Sequence, residues 1–243
     1  MRVTFLGSGD AFGSGGRFQA CLYLDGGAEP LLLDCGATSV IALKRAGIPP
    51  ASIGWLALSH LHGDHFSGVP WLILDGQFAA RDKALVIAGA VGTQERIERT
   101  FEALYPGATD KQRAFDTTFI QFAEGVPCQL GPALITPFQV RHESGAPSYA
   151  LRVEYGGKVI GYSGDTEWTD SLLDVAQGAD LVVCECNFFD KKGPGHLDYQ
   201  TLIEKRPQLG CERIVITHMS EDMLIHLGEI ELEAAEDGTV ITI

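Results

Sequence analysis

The sequence lacks the features that define several classes of protein. Its 243 residues contain no apolar run approaching the roughly 20 residues that a membrane-spanning helix requires. The short apolar start, residues 1–6, stops at glycines, whereas a signal peptide needs a longer apolar core and a cleavage site. We therefore expect a cytoplasmic protein that begins with a strand and has no membrane partner.

Basic residues are scarce. The chain has 18 lysines and arginines against 32 aspartates and glutamates, which gives a formal net charge of −14. A surface of this sign repels a long polyanion. Extended DNA or RNA is therefore not an expected partner, while a small or terminal phosphate drawn to bound metal is compatible with the charge.

Cysteines are few and scattered. Of the six, Cys184 and Cys186 lie in an apolar run that is typical of a buried strand. We expect all six to be thiols of the core.

The pattern of elements predicts an α/β fold. Two β-rich blocks are each followed by helical segments, and the chain contains no proline- or serine-rich linker and no tandem repeat. Two sheets packed face to face, with helices on both outer faces, would bury both faces of each sheet. The prediction is a four-layer αββα sandwich that forms a single domain over residues 1–243.

The strongest chemical signal is the hexapeptide from His60 to His65, which reads His-Leu-His-Gly-Asp-His. It places four potential ligands, His60, His62, Asp64 and His65, directly after an apolar run of strand length. Gly63 gives the backbone the freedom to turn and gather these side chains around one point. Imidazole and carboxylate together suit zinc, manganese or iron, and the absence of thiolate argues against a closed structural zinc site.

Three more ligand candidates follow predicted strands. His142 comes after the segment 133–141, Asp165 comes after 158–162, and His218 comes after 213–217. With the hexapeptide they make five histidines and two aspartates, which is enough for two metal ions. A carboxylate between two cations is a natural bridge, and Asp165 is the candidate.

At these residues the chain resembles the metallo-β-lactamase superfamily. The resemblance rests on the hexapeptide, His142, Gly-Asp-Thr at 164–166 and Thr-His at 217–218, and it spans almost the whole chain. It implies the αββα fold of that superfamily. It also implies one metal on His60, His62 and His142, a second on Asp64, His65 and His218, and Asp165 bridging them. Zinc is the expected metal, with manganese or iron as alternatives, and homodimers are common in the superfamily.

Within the superfamily the chain is similar to the ribonuclease Z-like phosphodiesterases that lack an RNA-binding arm, and to the cyclic-phosphate phosphodiesterases. Only 22 residues separate His142 from Asp165, too few for the long arm of ribonuclease Z. His196 resembles the additional histidine that these phosphodiesterases keep between the positions of Asp165 and His218. The resemblance implies a proton donor or a charge stabiliser there, and the alternative is a surface-loop histidine.

The sequence thus predicts a dinuclear metal-dependent phosphodiesterase for a small or terminal phosphodiester. A hydroxide bridging the two metals would attack phosphorus, Asp64 would orient or deprotonate the water, and His196 would serve the leaving oxygen. Two alternatives remain open: a hydrolase of lactones, thioesters or other carboxyl esters, and a non-catalytic metal-binding protein.

Overall fold

The computed structural model describes residues 1–27 and 29–243. In chain order the strands are β1 (Arg2–Gly7), β2 (Cys21–Asp25), β3 (Leu31–Leu33), β4 (Trp55–Ala57), β5 (Leu85–Gly89), β6 (Thr117–Gln121), β7 (Cys128–Leu130), β8 (Ala133–Gln139), β9 (Tyr149–Tyr155), β10 (Lys158–Tyr162), β11 (Leu181–Glu185), β12 (Ile214–Thr217), β13 (Glu233–Ala234) and β14 (Val240–Thr242). The α-helices are α1 (Ser39–Arg45), α2 (Gly63–Phe66), α3 (Val69–Phe78), α4 (Thr93–Leu104), α5 (Ser171–Ala176), α6 (Tyr199–Lys205) and α7 (Glu221–Leu224).

The strands form two mixed sheets of seven strands each. The first has the order β14-β1-β2-β3-β4-β5-β6, and the second has the order β13-β12-β11-β10-β9-β8-β7. Strands β3 to β6 run parallel in the first sheet, and β10 to β13 run parallel in the second. The carboxyl ends of several strands therefore meet at one edge of each sheet, where the loops can converge on a site.

Side chains alternate between the two faces of each strand, and both faces are buried in the sandwich. In β3, Leu31 and Leu33 face the core between the two sheets, while Leu32 faces the helices outside. In β11, Leu181 and Val183 face the same central core, and Val182 faces the outer layer. Strands buried on both faces read as continuous apolar runs, which is what the sequence shows at these positions.

Helices cover both outer faces. The outer core of the first sheet includes Leu43 of α1, Leu72 of α3 and Ile97 of α4. The outer core of the second includes Val175 of α5 and Leu202 of α6. This arrangement confirms the predicted four-layer αββα sandwich. None of the helices in the described residues has the length and apolar character needed to cross a membrane.

The sequence pattern predicts one helix over residues 65–78, and the structure shows that this prediction is wrong in its continuity. The segment forms two helices, α2 and α3, because the chain bends between them and Gly68 packs against the backbone of residues 35–36. A Cβ at Gly68 would lie 2.1 Å from the carbonyl oxygen of Gly36. Pro70 lies in the first turn of α3, a position that tolerates the missing N–H.

Candidate metal centre

The hexapeptide leaves β4 and turns into α2. His62 is still in an extended conformation, and the helix begins at Gly63. This change of backbone direction brings the side chains on both sides of Gly63 to one edge of the sandwich. His60, Asp64 and His65 are buried there, and His62 is half-buried.

The seven predicted ligands lie together in two clusters. In each cluster the ligand atoms are all within 4.8 Å of one another: His60, His62 and His142 in the first, and Asp64, His65, Asp165 and His218 in the second. His142 Nε2 lies 2.8 Å from His62 Nδ1, and His218 Nε2 lies 3.1 Å from Asp64 Oδ2. The first sheet supplies the hexapeptide, and the second sheet supplies the other three residues.

Asp165 lies between the two clusters. Its Oδ2 is 3.8 Å from His60 Nε2 and 3.9 Å from His142 Nε2 in the first cluster. The same oxygen is 3.3 Å from His218 Nε2, and Oδ1 is 3.2 Å from His65 Nε2. One carboxylate thus faces ligand atoms of both clusters.

Two buried atoms indicate that these residues are built for cations. Among the described residues, His60 Nε2 and Asp165 Oδ1 are buried and take part in no hydrogen bond. Burying a polar atom without a partner is costly, so such atoms call for a ligand. Borderline divalent cations favour imidazole and carboxylate donors, and the donor set therefore fits metal ions.

The pKa shifts of His60 and Asp165 favour the forms that bind metal, whereas those of His65 and His218 favour protonated imidazoles whose proton a metal would displace. Burial and the neighbouring His65 lower the pKa of His60 well below its ordinary value of 6.5, which keeps its imidazole neutral. Burial alone would raise the pKa of Asp165, but the imidazoles of His218 and His65 hold it well below its ordinary value of 3.8. Neutral imidazoles and an ionised carboxylate are the forms that bind metal.

A second layer of contacts orients the imidazoles. Asp34 Oδ2 lies 2.7 Å from His65 Nδ1 and accepts a hydrogen bond of 2.7 Å from the Tyr162 hydroxyl. The Gly195 carbonyl lies 2.7 Å from Nδ1 of His142, and Asn187 Nδ2 lies 3.2 Å from Nδ1 of His218. A partner on one ring nitrogen fixes the orientation of the other nitrogen toward the cluster.

His196 lies beside both clusters. Its ring centroid is 5.0 Å from that of His142 and 5.7 Å from that of His218. Nδ1 lies 3.1 Å from Oε1 of the buried Glu185, at the end of β11. Burial would lower the pKa of His196, but the hydrogen bond to Glu185 together with the negative charges of Glu185 and Asp165 raises the pKa above its ordinary value of 6.5.

Sequence reasoning missed Asp34, Glu185 and Asn187. Asp34 and Asn187 follow the ends of β3 and β11, and Glu185 ends β11, so all three share the strand-end position that identified the ligands. That signal could have found them. His226, in contrast, is partly exposed, pairs with Glu229 at 2.8 Å and stacks on Phe189, and it belongs to neither cluster.

The centre opens into a cavity of about 450 Å³. His62, His142 and His196 line it from the metal side, and Arg141, Glu143 and Glu167 line it from the rim. The volume lies within the range of about 300–1,000 Å³ that is typical of small-molecule sites.

The fold and the site define a metal-dependent hydrolase of the metallo-β-lactamase fold. The chain belongs to the family described as Anti-Pycsar protein Apyc1, whose model matches residues 1–234.

Relatives of known name agree with this class. The chain is 27% identical to ribonuclease Z of Methanosarcina acetivorans, over 90% of this chain and 88% of that protein. Its structure superposes on the short form of human tRNase Z with a TM-score of 0.81, 26% identity and coverage of 100% and 99% of the two chains. A diphosphatase of the PhnP family shares the fold, with a TM-score of 0.77, 17% identity and coverage of 100% and 97%.

Proposed function

We propose that the chain is a dinuclear metal-dependent phosphodiesterase that acts on a small or terminal phosphodiester. The observation that carries the proposal is the His196–Glu185 pair beside the two clusters. A phosphodiester leaving group needs a proton or charge relief, and an imidazole held at the edge of the centre can supply either.

We assign one metal to His60, His62 and His142, the other to Asp64, His65 and His218, and the shared position to Asp165. Zinc is the metal we propose, with manganese and iron as alternatives. Divalent cations held there would act as Lewis acids on the phosphate oxygens and lower the pKa of a water molecule that they bind.

The chain's own residues then have separate tasks. Asp64 contacts His218 and His65 at 3.1 and 3.2 Å, and we assign its carboxylate to orienting the attacking water. Glu185 accepts a hydrogen bond from Nδ1 of His196, so the opposite nitrogen, Nε2, is available to deliver a proton to the leaving oxygen. The elevated pKa of His196 favours the protonated form that this step requires.

The substrate class follows from charge and from the size of the cavity. A net charge of −14 disfavours extended nucleic acid, and a cavity of about 450 Å³ suits a small molecule or a chain end. RNA is the second candidate, because a relative that aligns with 90% of the chain carries the name ribonuclease Z. Carboxyl esters and lactones remain the alternative that the metal ligands alone do not separate from phosphodiesters.

The experiment is hydrolysis of bis(p-nitrophenyl) phosphate by the purified protein, before and after chelation, with zinc or manganese added back. A phenyl acetate, a lactone and a labelled RNA are tested in parallel. We expect phosphodiester turnover that disappears on chelation, returns with metal and is lost in His60→Ala. His226→Ala is the matched control and should keep full activity. Protein that holds two metal ions and hydrolyses only the carboxyl esters would contradict the proposal.

A further inference from the structure

The loop between β11 and α6 touches the first cluster at Gly195. Its carbonyl oxygen lies 2.7 Å from His142 Nδ1, which donates to it when Nε2 faces the cluster. Gly195 has a φ of +77°, and a Cβ there would lie 3.0 Å from the same nitrogen. Only glycine allows the backbone to approach the ring this closely in this conformation. The position of the Gly195 peptide therefore decides where the His142 ring points.

A carboxylate outside both clusters holds that peptide in place. Glu167 Oε1 accepts a hydrogen bond of 2.9 Å from the Gly195 backbone N–H. The backbone N–H of Glu167 donates to the carbonyl of Arg141 at 3.1 Å, immediately before His142. Glu167 is thus tied both to the strand end that carries His142 and to the loop that orients its ring.

The histidines of the second cluster have outer partners of their own. His65 is oriented by Asp34, and His218 lies against Asn187, which backbone hydrogen bonds to Leu197 and Ser220 hold at the other end of the same loop. A change at Glu167 should therefore affect the first cluster and leave the second cluster in place.

We propose that Glu167 is a positioning residue for the first metal: its carboxylate fixes the Gly195 peptide, and the Gly195 carbonyl turns His142 so that Nε2 faces the metal. The inference rests on the ligand assignment made under the proposed function. It adds a residue two positions beyond Asp165 to the machinery of the site, acting through Gly195 and not by touching metal or substrate.

Three substitutions separate contact from charge. Glu167→Gln removes the charge but keeps an oxygen at the same reach to accept from the Gly195 N–H. Glu167→Asp keeps the charge but withdraws it by one methylene, and Glu167→Ala removes both. Glu204→Ala, an exposed carboxylate on α6, is the matched control for loss of one negative charge.

The measurement is titration of each apoprotein with Co²⁺ and Zn²⁺, with a competing chelator to resolve two affinities and the visible Co²⁺ spectrum to report the coordination. We expect Glu167→Ala and Glu167→Asp to weaken one of the two sites by about 10–100-fold, the usual effect of losing an outer partner of a ligand. The affinity of the other site in these two variants should match that of the wild type. Both affinities of Glu167→Gln and of the control should match it as well.

Each other outcome has a definite meaning. Two unchanged affinities in Glu167→Ala would overturn the inference and leave the proposed function intact. Equal weakening of both sites, or a loss in Glu167→Gln that Glu167→Asp does not share, would overturn it in favour of a general electrostatic effect. A wild-type protein that binds fewer than two ions would overturn the ligand assignment and the inference with it.

Discussion

Replacing His196 tests the step that separates a phosphodiesterase from other hydrolases on this centre. Truncation in His196→Ala removes the imidazole while leaving the seven assigned ligands. Glu185 remains satisfied, because its carboxylate still accepts from the backbone N–H groups of Thr166 and Leu197 at 2.6 and 3.2 Å. The His196 side chain is 25% exposed and lines the cavity, so truncation enlarges the cavity and leaves no sealed void in the core. The variant should fold and keep its metal.

The size of the effect follows from the role of the proton. A positioned general acid contributes about 10²–10⁴-fold to the rate. At 1.36 kcal/mol for each factor of ten, that is about 2.7–5.4 kcal/mol of the activation barrier. A p-nitrophenolate leaves without much help, so the loss with bis(p-nitrophenyl) phosphate should fall near the lower end. A diester with an alkoxide leaving group should lose the most.

The assay compares kcat for these two kinds of leaving group in the wild type, His196→Ala and Glu185→Gln, with metal content measured on each sample. The double variant should lose little more than His196→Ala, because the two residues act as one unit. An equal loss for both leaving groups would refute the general-acid role. Loss of a metal ion from His196→Ala would also refute the general-acid role, because it would make His196 a metal ligand. A ring nitrogen of His196 lies within 4.8 Å of the ligand atoms of His142 and Asp165, which is close enough for that alternative.

Three further predictions concern stability. Arg81 is 2% exposed, and its guanidinium donates to the buried backbone carbonyls of Ile53 and, at 3.5 Å, of Pro50. Arg81→Ala should lower the free energy of unfolding in urea by about 2–6 kcal/mol, because each unsatisfied buried carbonyl costs about 1–3 kcal/mol. A loss as small as that of a surface variant would contradict this. Excess zinc should raise the melting temperature by binding the folded state alone, with about 4.1 kcal/mol at 1,000 times the dissociation constant, and a melting temperature indifferent to zinc and chelator would argue against the site. Burial would raise the pKa of Asp198, but hydrogen bonds from Lys192 and Thr201 outweigh it and lower the pKa below 3.8. The stability that the ionised Asp198 contributes is present above pH 3.8 and is lost as the pH falls below it. The difference in stability between wild type and Asp198→Asn should therefore disappear in acid, and a difference independent of pH would exclude the ion pair.

Much of the fold could be predicted, because strands that are buried on both faces form clear apolar runs in the sequence. The sequence pattern predicts strands over residues 149–155, 158–162 and 181–185 and helices over residues 171–176 and 199–205, and β9, β10, β11, α5 and α6 have these bounds. Strands β7 and β13 were missed because two or three residues at a sheet edge carry no periodic pattern. The helix over residues 65–78 was predicted as continuous because the break depends on contact with residues 35–36, which local periodicity does not show.

The candidate ligands could be selected from the sequence, but the residues that support them could not. A histidine-rich hexapeptide is visible in sequence, and strand ends gave the remaining candidates. The roles of Asp34, Glu185 and Glu167 depend on contacts with residues 31, 11 and 28 positions away, at His65, His196 and Gly195. A carboxylate at a strand end is common, and only the packing of the two sheets shows what it holds.

The outer contacts show how the centre is prepared for metal by the protein alone. Of the five histidines that we assign as ligands, four have the ring nitrogen that faces away from the clusters placed against a polar group: Ser59 Oγ for His60, Asp34 for His65, the Gly195 carbonyl for His142 and Asn187 for His218. Ser59 and Asp34 follow strands β4 and β3 of the first sheet, whereas Asn187 and Gly195 lie in the loop between β11 and α6 of the second. Because these rings are oriented before a cation binds, metal binding does not have to order them. The loss of side-chain entropy on binding is therefore small, which favours binding. Both sheets contribute ligands and both contribute supports, so the geometry of the centre depends on the register of the whole sandwich.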